Sequence, residues 1–153
     1  MKSLFIIFQY LAPQHLLSRL VGKIANANTV WLKNICIRKF IKRYGVNMEE
    51  ALHADPDDYT TFNDFFTRAL KPDTRPIAEP MDAMVSPADG VISASGDICA
   101  DRLIQAKDKT FSLRTLLGGD ELDAEAFLDG SFFTVYLSPK DYHRVHMPCS
   151  AQL

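Results

Sequence analysis

Three prolines, Pro72, Pro76 and Pro80, fall within one nine-residue stretch of this 153-residue chain. Proline fixes φ, lacks an N–H and pushes the preceding residue out of the helical region, so neither a helix nor a central strand can run through Lys71 to Pro80. The chain must therefore fold on either side of an extended connector, and the two sides differ in charge. From Met1 to Met48 the charged residues are Lys2, Arg19, Lys23, Lys33, Arg38, Lys39, Lys42 and Arg43, while all 19 acidic residues lie from Glu49 onward. A basic, apolar leader on an acidic body implies an anionic partner for the leader, either lipid headgroups or nucleic acid. Cys36, Cys99 and Cys149 stand singly and offer no disulfide framework, which favours a reducing compartment.

The leader opens on Leu4-Phe5-Ile6-Ile7-Phe8, and Gln9, Pro13, Gln14 and His15 interrupt the apolar run. A bilayer span takes about 20 apolar residues, which this run does not supply. A secretory signal competes, but its small-residue cleavage pattern is poor and the next segment is again apolar and basic. An interfacial helix fits better, with Phe5, Ile6 and Phe8 entering the lipid. A second helix is bounded by Asn28 or Thr29 at its start and Gly45 at its end. Val30, Ile37, Phe40, Ile41 and Tyr44 share one side of it, and Trp31, Leu32 and Ile35 widen the apolar surface. Trp31 with Lys39, Lys42 and Arg43 suits the plane of an anionic membrane. Packing of both helices on the body is the plainer alternative. No base-reading or stacking motif supports nucleic acid as a partner.

Between Glu49 and Leu70 the chain is acidic and then aromatic. Thr61 and Asp64 have the spacing of a capping box, which opens a short helix through Phe62, Phe65 and Phe66, residues that fit a core or a seam. The chain is thus divided into residues 1–70, a helical membrane-associating region, and residues 71–153, in which strand texture dominates. Met84-Val85-Ser86 and Val91-Ile92-Ser93 flank a Pro87-Ala88-Asp89-Gly90 turn. Asp89 has an ordinary explanation there, because Pro-x-Asp-Gly is turn chemistry. Leu103 to Gln105 reads as a strand, and Ser112 caps a helix over Leu113–Leu117 that Gly118-Gly119 stops. Asp120 to Leu128 is an acidic helical candidate, and Ser131 to Leu137 (SFFTVYL) is the strongest strand. The expectation is an α+β fold with a mainly antiparallel sheet.

That strand feeds Ser138-Pro139-Lys140-Asp141-Tyr142-His143-Arg144-Val145-His146-Met147-Pro148. Ser138, Pro139 and Asp141 suit one helical turn, with Asp141 reaching back, and Val145 to Met147 reads as extended before Pro148. His143 and His146 then need not share a face and can hold separate jobs. Either histidine alone is more often structural than catalytic. A zinc site built on the pair lacks further ligands, since His15, His53 and the cysteines are scattered and no CxxC occurs.

Four segments together resemble the N-terminal part of the bacterial phosphatidylserine decarboxylase family. They are Thr61-Phe62-Asn63-Asp64-Phe65-Phe66-Thr67-Arg68, Ser86 to Ile92, Gln105-Ala106-Lys107 with Ser112-Leu113 and Leu116-Leu117, and Tyr136 to Pro148, in the family's order. The resemblance implies a pyruvoyl-dependent carboxy-lyase that converts phosphatidylserine to phosphatidylethanolamine and CO2. In that family a serine of a Leu-Gly-Ser-Thr segment attacks the preceding carbonyl, and the self-cleavage leaves a pyruvoyl group on a smaller α subunit. Carried over, Asp89 orients His146, His146 takes the serine proton, and His143 assists protonation of the product carbanion or holds the substrate carboxylate.

The resemblance also implies an anionic phospholipid membrane, phosphatidylserine and a C-terminal α subunit as partners, and a peripheral location on the cytoplasmic face of the bacterial inner membrane. One departure is large, because no Leu-Gly-Ser-Thr occurs in these residues and the family chain continues beyond Leu153. Gly130-Ser131, the only Gly-Ser pair, opens a regular strand and does not suit cleavage. The chain is accordingly expected to represent a truncated β-rich catalytic domain, inactive alone and without a cofactor-binding serine of its own. The alternatives are a non-enzymatic membrane-surface module and a small His-based metalloprotein.

Overall fold

A computed structural model of the chain describes residues 13–78, 83–98, 102–106 and 109–150. Phe5, Ile6 and Phe8, expected to enter lipid, lie outside the described residues, as does Cys99. The chain forms two compact units, one ending at Ile77 and the other beginning at Ala78.

The first unit carries helix α1 (Gln14–Ala25), helix α2 (Val30–Tyr44), a single 3-10 turn (Pro56–Asp58) and helix α3 (Phe62–Phe66). Helix α2 begins after Thr29 and ends where Gly45 turns into the left-handed region at φ 67°. Thr29 makes no capping bond through its side chain, so the start is marked by backbone alone. The capping box at α3 forms. Thr61 Oγ1 accepts from the Asp64 amide at 3.0 Å, and Asp64 Oδ2 accepts from the amide of Thr60, one residue earlier than the usual partner.

Ile37, Val46, Tyr59 and Phe65 are the buried heart of this unit, with Phe40, Ile41, Met48 and Phe62 packed against them. Phe40 meets Phe62 and Phe65 edge-on, at 5.2 and 5.9 Å between ring centroids, the arrangement ring quadrupoles favour. The phenylalanines of the Thr61–Arg68 segment therefore serve as core. Val30 and Tyr44, placed on the same side as Ile37 by helical spacing, are exposed, because α3 covers only part of the helix. Lys33 is buried despite its charge. Its Nζ donates to Asn34 Oδ1 at 2.7 Å and to the Asp57 carbonyl at 3.3 Å, so the ammonium is paired as it leaves water. The chain after α3 is pinned back onto the loop after α2 by Leu52 N–H to Ala69 O and Lys71 N–H to Glu50 O, both 2.9 Å.

The second unit holds strand β1 (Val91–Asp97), strand β2 (Arg102–Ala106), strand β3 (Lys109–Ser112), helix α4 (Leu113–Leu116), helix α5 (Glu121–Glu125) and strand β4 (Ser131–Tyr136). The strands form two antiparallel pairs, β1 with β4 and β2 with β3. The fold class is thus α+β. Between Ile92↔Val135 and Ala94↔Thr134 the register shifts by one, which leaves Ser93 as the extra residue of a bulge. Its hydroxyl donates to the Thr134 carbonyl at 3.2 Å.

Both short helices are capped, the first by Ser112 as expected and the second by Asp120, which stands just before the helix rather than in it. Ser112 Oγ accepts from the Thr115 amide at 3.1 Å, and Asp120 Oδ1 accepts from the Leu122 amide at 2.8 Å. Among the described residues of this unit, Ile98, Leu113 and Ala124 form a buried cluster, and Phe132 of β4 packs on them.

Candidate active site

The site is assembled by backbone ties that bracket two loops. One loop is the Pro87–Gly90 turn, and the other runs from the end of β4 to Pro148. On one flank, Val85 N–H donates to Pro148 O at 2.9 Å and His146 N–H donates to Pro87 O at 2.8 Å. These bonds share one antiparallel register, and each proline stands where its missing N–H would have donated the return bond. The flanking segments are consequently extended but too sparsely bonded to form a strand.

On the other flank, Val91 pairs with Tyr136, so the turn emerges directly beside the end of β4. Gly90 makes this approach possible. Its φ is 141°, and a Cβ there would run into the Tyr136 carbonyl and the Val135 side chain. The Ser86 hydroxyl braces the turn by donating to the Ala88 carbonyl at 2.8 Å.

Asp89 sits half-buried in the middle of this turn. It is two residues from Pro87, at most about 7 Å of chain, and Pro87 is bonded to His146. Turn and histidine stretch, 57 positions apart in numbering, are thereby held together.

Beyond β4 the Ser138–Asp141 segment is a tight turn without a helix. Asp141 N–H donates to Ser138 O at 2.9 Å, and Asp141 Oδ2 accepts from the Ser138 amide at 2.6 Å. The expected reach-back by Asp141 is present, but the segment does not go on into a helix. His143 and His146 have different surroundings. His143 is half-buried with its Nε2 closed to solvent, whereas His146 is exposed on the extended segment.

Tyr142 escaped the reading of the sequence. Its hydroxyl lies 2.9 Å from His146 Nε2, and the two rings stack with 21° between their planes. The four-residue spacing from Tyr142 to His146 was the available signal, but it suggests contact only in a helix, and this segment is not one.

Ser131 of the lone Gly-Ser pair opens β4, where its hydroxyl donates to Asp97 Oδ1 at 3.2 Å. Arg144 is exposed. Among the described residues, no three His, Cys, Asp or Glu side chains converge as metal ligands would.

The family's sequence model, described as "Phosphatidylserine decarboxylase", matches residues 62–153, which takes in both loops of the site. The chain belongs to the phosphatidylserine decarboxylase family. A second model, described as "PSD", matches residues 4–45. A phosphatidylserine decarboxylase proenzyme of Hahella chejuensis is 54% identical over 150 residues, covering 98% of this chain and 51% of that protein. The proenzyme of Saccharophagus degradans is 54% identical over 151 residues, covering 99% of this chain and 53% of its own length. That of Vibrio vulnificus is 55% identical over 153 residues, covering 100% of this chain and 54% of its own. The chain spans about half the length of the curated relatives it matches.

Proposed function

We propose that this chain supplies the general base and its orienting carboxylate to a self-processing phosphatidylserine decarboxylase, and the helices that keep it on its lipid. The observation that carries this reading is the His146–Pro87 bond, which brings the PADG turn and the histidine stretch to one place. His146, exposed and reachable, takes the hydroxyl proton as a serine attacks the preceding carbonyl. Asp89, in the adjoining turn, fixes the ring and stabilises its charged form, the roles of orienter and base. His143 has a shielded Nε2 and serves the later step, delivering a proton to the substrate carbon after CO2 leaves or holding the carboxylate beforehand.

The pyruvoyl group implied by the family forms from a serine of a Leu-Gly-Ser-Thr segment, and these 153 residues contain none. Ser131 does not fit, since it lies in a regular strand with its hydroxyl engaged by Asp97. The group must come from other residues, those of a C-terminal α subunit; when bound, it supplies the electron sink for loss of CO2 from phosphatidylserine. The chain's own contribution is therefore to proton transfer and placement.

Helix α1 exposes Leu16, Leu17, Leu20, Val21 and Ile24 along one arc, and Lys23 and Arg19 border it. Helix α2 adds exposed Val30, Trp31 and Ile35, and carries exposed Lys39, Lys42 and Arg43. No helix among the described residues is long and apolar enough to cross a membrane. An apolar arc with basic flanks suits the surface of an anionic bilayer, in line with a peripheral position on the cytoplasmic face of the bacterial inner membrane.

The test is a decarboxylation assay on phosphatidylserine vesicles, using the chain alone and co-expressed with a C-terminal segment of a relative that contains Leu-Gly-Ser-Thr. Activity only with the segment is the expected result. Binding to vesicles without activity in either case would move the weight to a non-enzymatic membrane-surface module.

A further inference from the structure

The Tyr142 hydroxyl stands 2.9 Å from His146 Nε2, and the rings stack at 5.5 Å between centroids. Two contacts of different kinds thus restrain an imidazole on an otherwise exposed segment. The direction of the hydrogen bond follows from the chemistry of its partners. A phenol O–H is a stronger acid than a neutral imidazole N–H, and an imidazole nitrogen is a stronger base than a phenol oxygen, so the phenol donates and Nε2 accepts. The proton of the neutral ring is then on Nδ1.

We propose that Tyr142 is a positioning residue that holds His146 as its Nδ1–H tautomer, its hydroxyl occupying on Nε2 the place a serine hydroxyl takes when its proton is removed. This rests on the reading of His146 as the base. A ring carrying its proton on Nε2 has no lone pair there for a serine proton, so the tautomer decides whether the ring can act from that atom. When the serine arrives, one O–H···N bond replaces another of the same kind, and the Tyr142 hydroxyl withdraws at little net cost.

The proposal is tested on the chain itself, labelled with nitrogen-15, by reading the ring-nitrogen shifts and long-range ring couplings of neutral His146. The expected result is an unprotonated Nε2 and a protonated Nδ1 in the wild type. Tyr142→Phe keeps the stacked ring and loses only the hydroxyl, and it should shift part of the population to the Nε2–H tautomer. A wild-type proton on Nε2, or a Tyr142→Phe spectrum with the same tautomer as the parent, overturns the proposal. Should Tyr142→Phe fail to fold, the wild-type spectrum still decides, because Nε2–H there is fatal by itself. None of these readings requires cleavage, so loss of the general-base role would show separately, as self-cleavage that survives His146→Ala.

Discussion

The amide of His146 donates a 2.8 Å hydrogen bond to the carbonyl of Pro87. With Val85–Pro148 on one side and Val91–Tyr136 on the other, this bond leaves the PADG turn little freedom to move away from the histidine stretch. A carboxylate and an imidazole distant in sequence are thus positioned by main-chain bonds, which side-chain substitutions leave largely intact. Asp89 and His146 can therefore be mutated to test chemistry with limited risk to the scaffold.

Gly90 is the exception, because the turn depends on its missing side chain. Gly90→Ala places a Cβ against the Tyr136 carbonyl and strains a φ of 141°. The expected cost is roughly 2–4 kcal/mol, combining left-handed strain with displacement of β1 from β4. Urea unfolding should show it, and hydrogen exchange should show lost protection at Val91.

Phe65 is fully buried among Ile37, Val46 and Tyr59. Phe65→Ala should destabilise the first unit by about 3–5 kcal/mol, the range for deleting a buried ring. A loss under about 1 kcal/mol in chemical denaturation would mean that the aromatic cluster does not hold this unit together.

The polar contacts of the same unit should divide by exposure. Arg38 pairs with Asp57 at 2.8 Å, but both side chains are more than half exposed, at 58% and 54%. Arg38→Ala should cost less than about 1 kcal/mol. Thr61→Ala removes a helix cap and should cost about 1 kcal/mol, a larger effect from a smaller side chain. Paired unfolding curves of the two variants check the order.

Burial pushes the Tyr59 hydroxyl above its ordinary value of 10.0, against a partial pull downward by Arg68. The folded chain therefore favours the protonated phenol, whose O–H donates to the His53 carbonyl at 2.7 Å. Stability from this group is intact below pH 10.0 and falls as the pH rises beyond it, because the unfolded chain gives up the proton first. Tyr59→Phe should lose about 1 kcal/mol at neutral pH and show a weaker alkaline decline. Unfolding followed on both sides of pH 10.0 measures this directly.

Much of this architecture is legible in local patterns. Ser112, Asp120, Thr61 and Gly45 mark helix ends through bonds or dihedrals made within a few residues, and the SFFTVYL strand follows from β-branched and aromatic content. Lys33 was less legible. Its burial depends on Asn34 and on Asp57, which lies in a turn 24 residues away, a distance periodicity does not reach. The Tyr142–His146 contact was hidden for the opposite reason. The residues are close in sequence, but the contact arises in an irregular return loop shaped by two prolines and the Asp141 turn. Asp89 taken alone looked like ordinary turn chemistry; the family resemblance singled it out, and the tie from Pro87 to His146 holds its turn beside the histidine stretch.

The most direct test joins this chain to the C-terminal part of a relative that contains Leu-Gly-Ser-Thr and follows self-cleavage by electrophoresis, with His146→Ala beside the parent. The account predicts that the parent cleaves and that His146→Ala slows cleavage by about 10²- to 10⁴-fold, the range for loss of a general base. Cleavage of His146→Ala at the parent's rate would contradict it.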